Sequence, residues 1–332
     1  MKTKSLSELF SAFEKLNVMV IGDVMLDNYL WGKVERISPE APVPIASIQK
    51  KESRLGGAAN VAINLKALGA TPVLCSVIGN DINGRSFIEL VKQIDLSADG
   101  IFQSTERITT VKTRIIGNNH QMLRVDEEQE DDLTPSDRKQ LLNKITTIVS
   151  KRKIDVIIFE DYDKGVIGKS LIESVVKLAR QKGIPVAVDP KKKNFNHYKN
   201  VTLFKPNLKE LREGMKVDLD KNNLADISKA VNKLCNDNKI GTALITLSEK
   251  GIFYVDDKGE KLLPAHIRTI ADVSGAGDTV ISVAALCLAL DTDTETMATL
   301  ANLAGGLVCE KVGVVPIEKQ QLFDEAKRLK LK

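Results

Sequence analysis

The sequence predicts an α/β fold, a three-layer α/β/α core on a mainly parallel sheet with a small inserted β-sheet acting as a lid. Two observations point there. Short apolar runs, such as NVMVIGD (17–23), TPVLCSVIG (71–79) and DVIIFEDY (155–162), alternate with segments of helical period. Strands buried on both faces by crossover helices give that pattern. Two stretches break the rhythm: 29–53 and 107–128 alternate with period two, the first carrying three prolines and the second the turn signal GNN. The 332 residues, 43% hydrophobic and 28% charged, are enough for one large domain with an ample core, read here as 1–332.

The elements follow in order. MKTKSLSELFSAFEKL is amphipathic and lacks the continuous apolar core of a secretory signal. Strand 17–23 leads into the first lid stretch. GGAANVAINLKALGA (56–70) reads as a helix opening on glycines, with strand 71–79 behind it. After the second lid stretch, the acidic run DEEQEDD (126–132) reads as a solvated turn before helix 135–150. Strand 155–162, helix 169–182 and strands 184–190 and 201–207 come next, then a strand and turn at 242–251 and a hairpin starting at 251–257. Helices at 278–290, 294–311 and 317–330 fill the last third.

Composition excludes several classes. A net charge of +4, from 48 basic and 44 acidic residues, is too balanced to indicate nucleic acid. KRK (151–153) and KKK (191–193) read as solvated loops. Cys75, Cys235, Cys287 and Cys309 are far apart and the three histidines are scattered, so neither disulfides nor zinc is expected. No apolar run is long enough to span a membrane. The expected setting is cytoplasmic.

Chemistry concentrates in ADVSGAGDTVIS (271–282), where Ser274, Gly275, Ala276, Gly277 and Asp278 precede a long apolar run. Small residues before a helix let backbone N–H groups face an anion, and the helix start adds partial positive charge. An aspartate there can simply cap the helix. It can also take the proton of an alcohol while the nest neutralises a moving phosphoryl group. No G-x-x-x-x-G-K-[ST] or G-x-G-x-x-G pattern occurs, which disfavours P-loop and dinucleotide-binding folds.

Five motifs occur in register: GGAAN (56–60), DPK (189–191), PNLKE (206–210), TLSEKG (246–251) and DVSGAGDT (272–279). Together they resemble the ribokinase-like (PfkB) carbohydrate kinases over nearly the whole chain. Within that family GDVMLD (22–27), RISPEAPVP (36–44), LGGAANVA (55–62), the segment 112–126 and DYDKG (161–165) are similar to the heptose-7-phosphate kinases. Those enzymes phosphorylate O1 of D-glycero-D-manno-heptose 7-phosphate on the route to ADP-heptose and lipopolysaccharide.

The resemblance implies that Asp278 is the base and that the N–H groups of Gly275, Ala276 and Gly277 form the anion hole. Asn207 and Glu210 match the positions that organise Mg²⁺, through water, and the nucleotide phosphates. Thr246, Ser248 and Gly251 match the turn that meets ATP, with Asn302 and Gly305 on the helix flanking adenine. Asp23, Asp27, Gly56, Gly57 and Asn60 match the sugar-binding set. Each has a plainer alternative: turn residues for Asp23 and Asp27, a helix entry for the glycines, a cap and first-turn acid for Asn207 and Glu210. The far phosphate of such a substrate needs cations, and the candidates are Arg36, Lys112, Arg114, Arg124, Lys164 and Lys191. The sequence departs from the family pattern at Ser274, usually threonine, and at Glu160, where serine is common.

Alternative readings are a kinase for ribose, fructose or a fructose phosphate, and a non-catalytic sugar-binding module. The lid residues Val34, Ile37, Val43, Ile45 and Ile48 predict a homodimer through the lid strands. Many heptose kinases are fused to a nucleotidyltransferase with an H-x-G-H-type motif. This sequence has none, so a separate adenylyltransferase is the expected downstream partner.

Overall fold

The computed structural model describes residues 5–266 and 268–329. The first residues of the amphipathic N-terminal segment and the last residue of expected helix 317–330 lie outside that range. In chain order the elements are α1 (Leu6–Phe13), β1 (Asn17–Gly22), β2 (Val24–Ile37), β3 (Pro44–Gly57), α2 (Ala58–Ala67), β4 (Thr71–Gly79), α3 (Ile82–Gln93) and β5 (Ser97–Ser104). They continue with β6 (Val111–Gly117), β7 (His120–Glu127), α4 (Pro135–Lys151), β8 (Val156–Glu160), α5 (Lys169–Lys182), β9 (Val186–Asp189), β10 (Leu203–Phe204) and α6 (Leu208–Met215). The last are α7 (Leu224–Asn238), β11 (Thr242–Thr246), β12 (Ile252–Asp256), β13 (Gly259–Leu263), α8 (Ala276–Ala289), α9 (Thr294–Cys309) and α10 (Lys319–Arg328).

Nine strands form the main sheet in the order β13-β12-β11-β10-β9-β8-β1-β4-β5. It is parallel from β5 to β11, and β12 and β13 close one edge antiparallel. Alternation along each strand divides the core. Val18 and Val20 of β1 face the layer that holds α2, α8 and α9, whereas Met19 and Ile21 face α4, α5 and α7. Because both faces are covered, the strands are apolar throughout, which made them legible as short runs.

The lid is a separate four-stranded sheet, β3-β2-β6-β7. The expected hairpins are both present and antiparallel, but they join through a parallel β2–β6 pairing, Leu26 opposite Val111 through Gly32 opposite Gly117. The GNN turn forms with Asn118 and Asn119 at φ of 51° and 66°, the left-handed pair a two-residue hairpin loop requires. Two boundaries are corrected. β2 and β3 run back to Val24 and on to Gly57, so Gly56 and Gly57 end a lid strand and α2 begins only at Ala58. The predicted elements also omitted α3, β5, α6 and α7. All four cysteines are free. No helix among the described residues is long and apolar enough to cross a membrane.

Candidate active site

From neighbours β1 and β8 the strand order runs in opposite directions, through β4 to β5 and through β9 to β11. Ligands of open α/β sheets bind outside the C-terminal ends of strands at such a switch point. Those ends carry Asp23 after β1, Glu160 and Tyr162 at β8, Asp189 at β9, Lys205 after β10 and Thr246 at β11. The lid grows directly out of β1, and the start of α8 faces the same strand ends.

Gly275 N-caps α8 with φ +79°, a left-handed conformation that costs glycine little. The Asp272 carboxylate ties down the loop before it, accepting from the N–H groups of Ser274 (2.9 Å) and Gly313 (3.0 Å). The Ala276 N–H donates to the Val273 carbonyl at 3.3 Å. Among the described residues the Gly275 and Gly277 N–H groups make no hydrogen bond, so two of the three expected nest donors are open.

Asp278, in the first turn of α8, is 6% exposed. Its Oδ1 accepts from the Tyr162 hydroxyl at 3.0 Å, and the Asn60 side chain lies near enough to favour its charged form. Burial, reinforced by the negative charge of Asp189, pushes the Asp278 carboxyl up to about 6, against the opposing pull of Tyr162, Lys205 and Asn60. Asp189 pairs with Lys205 at 2.7 Å, both side chains almost fully enclosed. A Cβ on Gly277 would lie 3.7 Å from both Asp189 Oδ2 and Lys205 Nζ, so this ion pair sits against the nest. Desolvation opposes the Lys205 charge, but Asp189, Glu210 and Glu160 raise its pKa and keep it an ammonium. Glu160 is driven well above the usual carboxylate range by burial and by the charges of Asp189 and Asp278.

Asn207 and Glu210 form the reciprocal cap of α6: the Glu210 N–H donates to Asn207 Oδ1, and the Asn207 N–H to Glu210 Oε2, both at 2.8 Å. Glu210 also pairs with Lys191, whose ammonium lies 5.6 Å from the Tyr162 ring centre. Lys191 is therefore not in a solvated loop. No group of three or more His, Cys, Asp or Glu among the described residues could cage a metal. The oxygens near the nest, including unpartnered Asp189 Oδ1 and Glu160 Oε2, suit a hard cation that keeps much of its water.

On one side of the nest opens a cavity of about 610 Å³ that brings Thr246, Ser248, Gly251, Asn302 and Gly305 together with Ala276 and Gly277. Asn302 donates to the Pro264 carbonyl at 2.9 Å. Gly305 has a packing reason of its own, because a Cβ there would approach Val280 Cγ2 to 2.8 Å and part α8 from α9. On the other side, under the lid, a cavity of about 240 Å³ is lined by Asp27, Tyr29, Arg54 and Asn60. Gly56 leaves room for Asp27, whose Oδ2 would otherwise lie 2.3 Å from a Cβ. Gly57, at φ +63°, sits as closely on the Asp23 carbonyl.

Asp23 departs from its expected place among residues facing the sugar. It is 1% exposed, and its carboxylate accepts the N–H groups of Tyr162 (2.9 Å), Lys164 (3.2 Å) and Val166 (2.9 Å). It organises the loop that carries Tyr162. The acidic run is likewise more than a solvated turn. Asp126 and Glu128 hold Lys112 at 3.0 and 2.8 Å, Glu128 and Glu130 hold Lys164 at 2.9 and 2.5 Å, and Asp126 also takes Arg124 at 2.8 Å. Arg36 is exposed near the far end of β2. Sequence reasoning gave no role to Tyr162, Asp189 or Lys205, although each stands inside or beside a quoted motif, and it passed over Arg54.

An α/β/α core with a lid, a nest, a buried carboxylate at the start of α8 and two cavities lined by residues near that carboxylate defines the class: a kinase of small sugars, for which ATP is the family's phosphoryl donor. The chain belongs to the pfkB family of carbohydrate kinases, whose profile matches residues 15–320. It is 39% identical over 306 residues to the bifunctional protein HldE of Sulfurimonas denitrificans, covering 92% of this chain and 63% of that protein. It is 41% identical over 297 residues to HldE of Helicobacter pylori strain HPAG1, covering 89% and 63%. The chain thus spans under two thirds of the length of these relatives. Among solved structures it resembles Escherichia coli phosphofructokinase-2 in complex with fructose-6-phosphate, with a TM-score of 0.75 at 18% identity, covering 94% of this chain and 99% of that one. Arabidopsis thaliana ribokinase complexed with ribose and ATP gives 0.70 at 17% identity, covering 93% and 98%.

Proposed function

We propose that this kinase transfers the γ-phosphoryl group of ATP to O1 of D-glycero-D-manno-heptose 7-phosphate, giving the 1,7-bisphosphate. The observation that carries the reading is the position of Asp278 between the two cavities. It follows Gly277, which lines the larger one, and the Asn60 side chain near it lines the smaller one. ATP fits the larger cavity along Thr246, Ser248, Gly251, Asn302 and Gly305, and the sugar fits under the lid along Asp27, Gly56, Gly57 and Asn60.

In this reading Asp278, ionised above about pH 6, accepts the proton of the sugar hydroxyl. The oxygen forms its bond to γ-phosphorus as the bond to the β–γ bridging oxygen breaks, and ADP leaves. The Gly275 and Gly277 N–H groups, with the Lys205 ammonium behind them, meet the negative charge on the transferring group. Glu210 and Asn207 would hold a Mg²⁺ through water, and that ion would supply charge neutralisation on the nucleotide phosphates. The apolar outer residues of the lid, among them Ile37 (61% exposed) and Leu123 (55%), are where a second copy would pair; a monomer in light scattering at micromolar concentration would argue against that pairing.

The test is turnover on a panel of heptose 7-phosphate, ribose, fructose and fructose 6-phosphate. Heptose 7-phosphate is expected to have the highest kcat/KM by at least tenfold. A higher value for any other sugar overturns the substrate while leaving the kinase intact.

A further inference from the structure

We propose that Arg54 and Arg114, which flank Tyr29 on the inner face of the lid, form the subsite for the terminal phosphate ester of the sugar. The inference rests on the reading of the substrate as a sugar phosphate and names the residues that would select it.

Register puts the pieces together. Asp27 lies opposite both Arg54 on β3 and Lys112 on β6, and Tyr29 lies opposite Arg114 on β6, so these side chains share one face of the lid. The guanidinium carbons of Arg54 and Arg114 stand 5.0 and 5.2 Å from the Tyr29 ring centre, which Trp31 stacks against at 6.2 Å. Arg54, Tyr29 and Asp27 line the cavity that Asn60 also lines, and the Asn60 side chain lies near Asp278. Residues two apart on a strand are separated by about 7 Å. A sugar held by Asp27, with its reacting hydroxyl at Asp278, would therefore reach Tyr29 with a terminal substituent.

The other cations of the region are already committed. Lys112 and Lys164 are each held between two carboxylates, Arg124 grips Asp126 through both Nε and Nη2, and Lys191 pairs with Glu210. Arg54 uses only Nε, on Glu52 at 2.5 Å, which leaves its two-nitrogen end open. Arg114 uses only Nη1, on Asp27 at 2.6 Å and weakly on the Lys112 carbonyl, which leaves Nε and Nη2 open. Two open guanidinium edges around one aromatic ring fit the several oxygens of a phosphate dianion, which a hydroxyl could not occupy. The Asp27 contact also holds Arg114 in place beside the sugar.

The experiment compares kcat/KM for heptose 7-phosphate with that for the same heptose without its phosphate, in the wild type and in Arg54→Gln, with Arg54→Lys as a second variant. The wild type is expected to prefer the phosphorylated sugar. Arg54→Gln should cut that preference about 10–100-fold, mainly through KM, the size expected for charge-assisted bonds. Arg54→Lys, which keeps the charge and loses the fork, should fall between. Inorganic phosphate should inhibit the wild type competitively against the sugar phosphate and the glutamine variant more weakly. If the wild type prefers the phosphorylated sugar and both variants keep that preference in full, the phosphate is held elsewhere and this inference is overturned while the sugar-phosphate reading stands. If the wild type shows no preference, that reading fails and takes this inference with it.

Discussion

The Tyr162 hydroxyl donates a 3.0 Å hydrogen bond to Oδ1 of Asp278, joining the loop after β8 to the first turn of α8. It stabilises the ionised carboxylate where burial and Asp189 act against it. Tyr162 is itself placed by Asp23, which accepts its backbone N–H. The reactivity of Asp278 is thus set in part from the end of β1.

Activity should follow the ionisation of Asp278, whose carboxyl is pushed up to about 6. A base works only when deprotonated, so kcat should fall as pH drops through about 6. Tyr162→Phe removes a bond that lowers this value, so the acid limb should move to higher pH. A pH–rate profile checks this; a limb that stays in place would show that Tyr162 does not tune Asp278.

Lys205 is the buried cation among Asp189, Glu160 and Asp278. Lys205→Met should destabilise the fold by about 3–5 kcal/mol, the usual result of leaving one partner of a buried pair uncompensated. Adding Asp189→Asn should restore part of that loss in denaturant unfolding. If the double variant is as unstable as the sum of the two single ones, the pair is not energetically linked.

Asp23→Asn places an amide N–H₂ among three backbone donors. A loss of about 1–3 kcal/mol is expected, together with faster amide exchange at Tyr162, Lys164 and Val166. Unchanged exchange there, with a raised sugar KM alone, would return Asp23 to the sugar-binding role the motif suggested.

Asp278 carries a linkage of its own. Its folded value of about 6 lies above the ordinary aspartate value of 3.8, so the stability gained by holding the proton is complete below about 3.8 and lost as pH rises through about 6. Asp278→Asn should therefore melt at or above the wild-type temperature at pH 8, and the difference should vanish near pH 4. A lower melting temperature at pH 8 would mean that the carboxylate stabilises the fold.

Much of this was legible because each strand of the main sheet is buried on both faces and so reads as an apolar run, as at Thr71–Gly79. The site was legible where its chemistry is local in sequence, as in the nest at Gly275–Gly277. What was missed is non-local. The parallel β2–β6 pairing joins segments about 85 residues apart, and the counter-charges of Lys112 and Lys164 come from a run that resembles a solvated turn. Asp23 looked like a ligand because a buried carboxylate that organises a loop and one that grips a sugar leave the same letter in the sequence. Helices α3 and α7, lying between motifs, offered less to fix their position, and the start of α6 was read for its motif PNLKE rather than as an element.

The most direct test is single-turnover phosphoryl transfer by Asp278→Asn, with ATP affinity measured in parallel. Loss of the base should slow the transfer step by about 10²–10⁴-fold with ATP binding nearly unchanged. Near-normal turnover in that variant would contradict that role, leaving Asp278 as a helix-start residue and placing the base elsewhere.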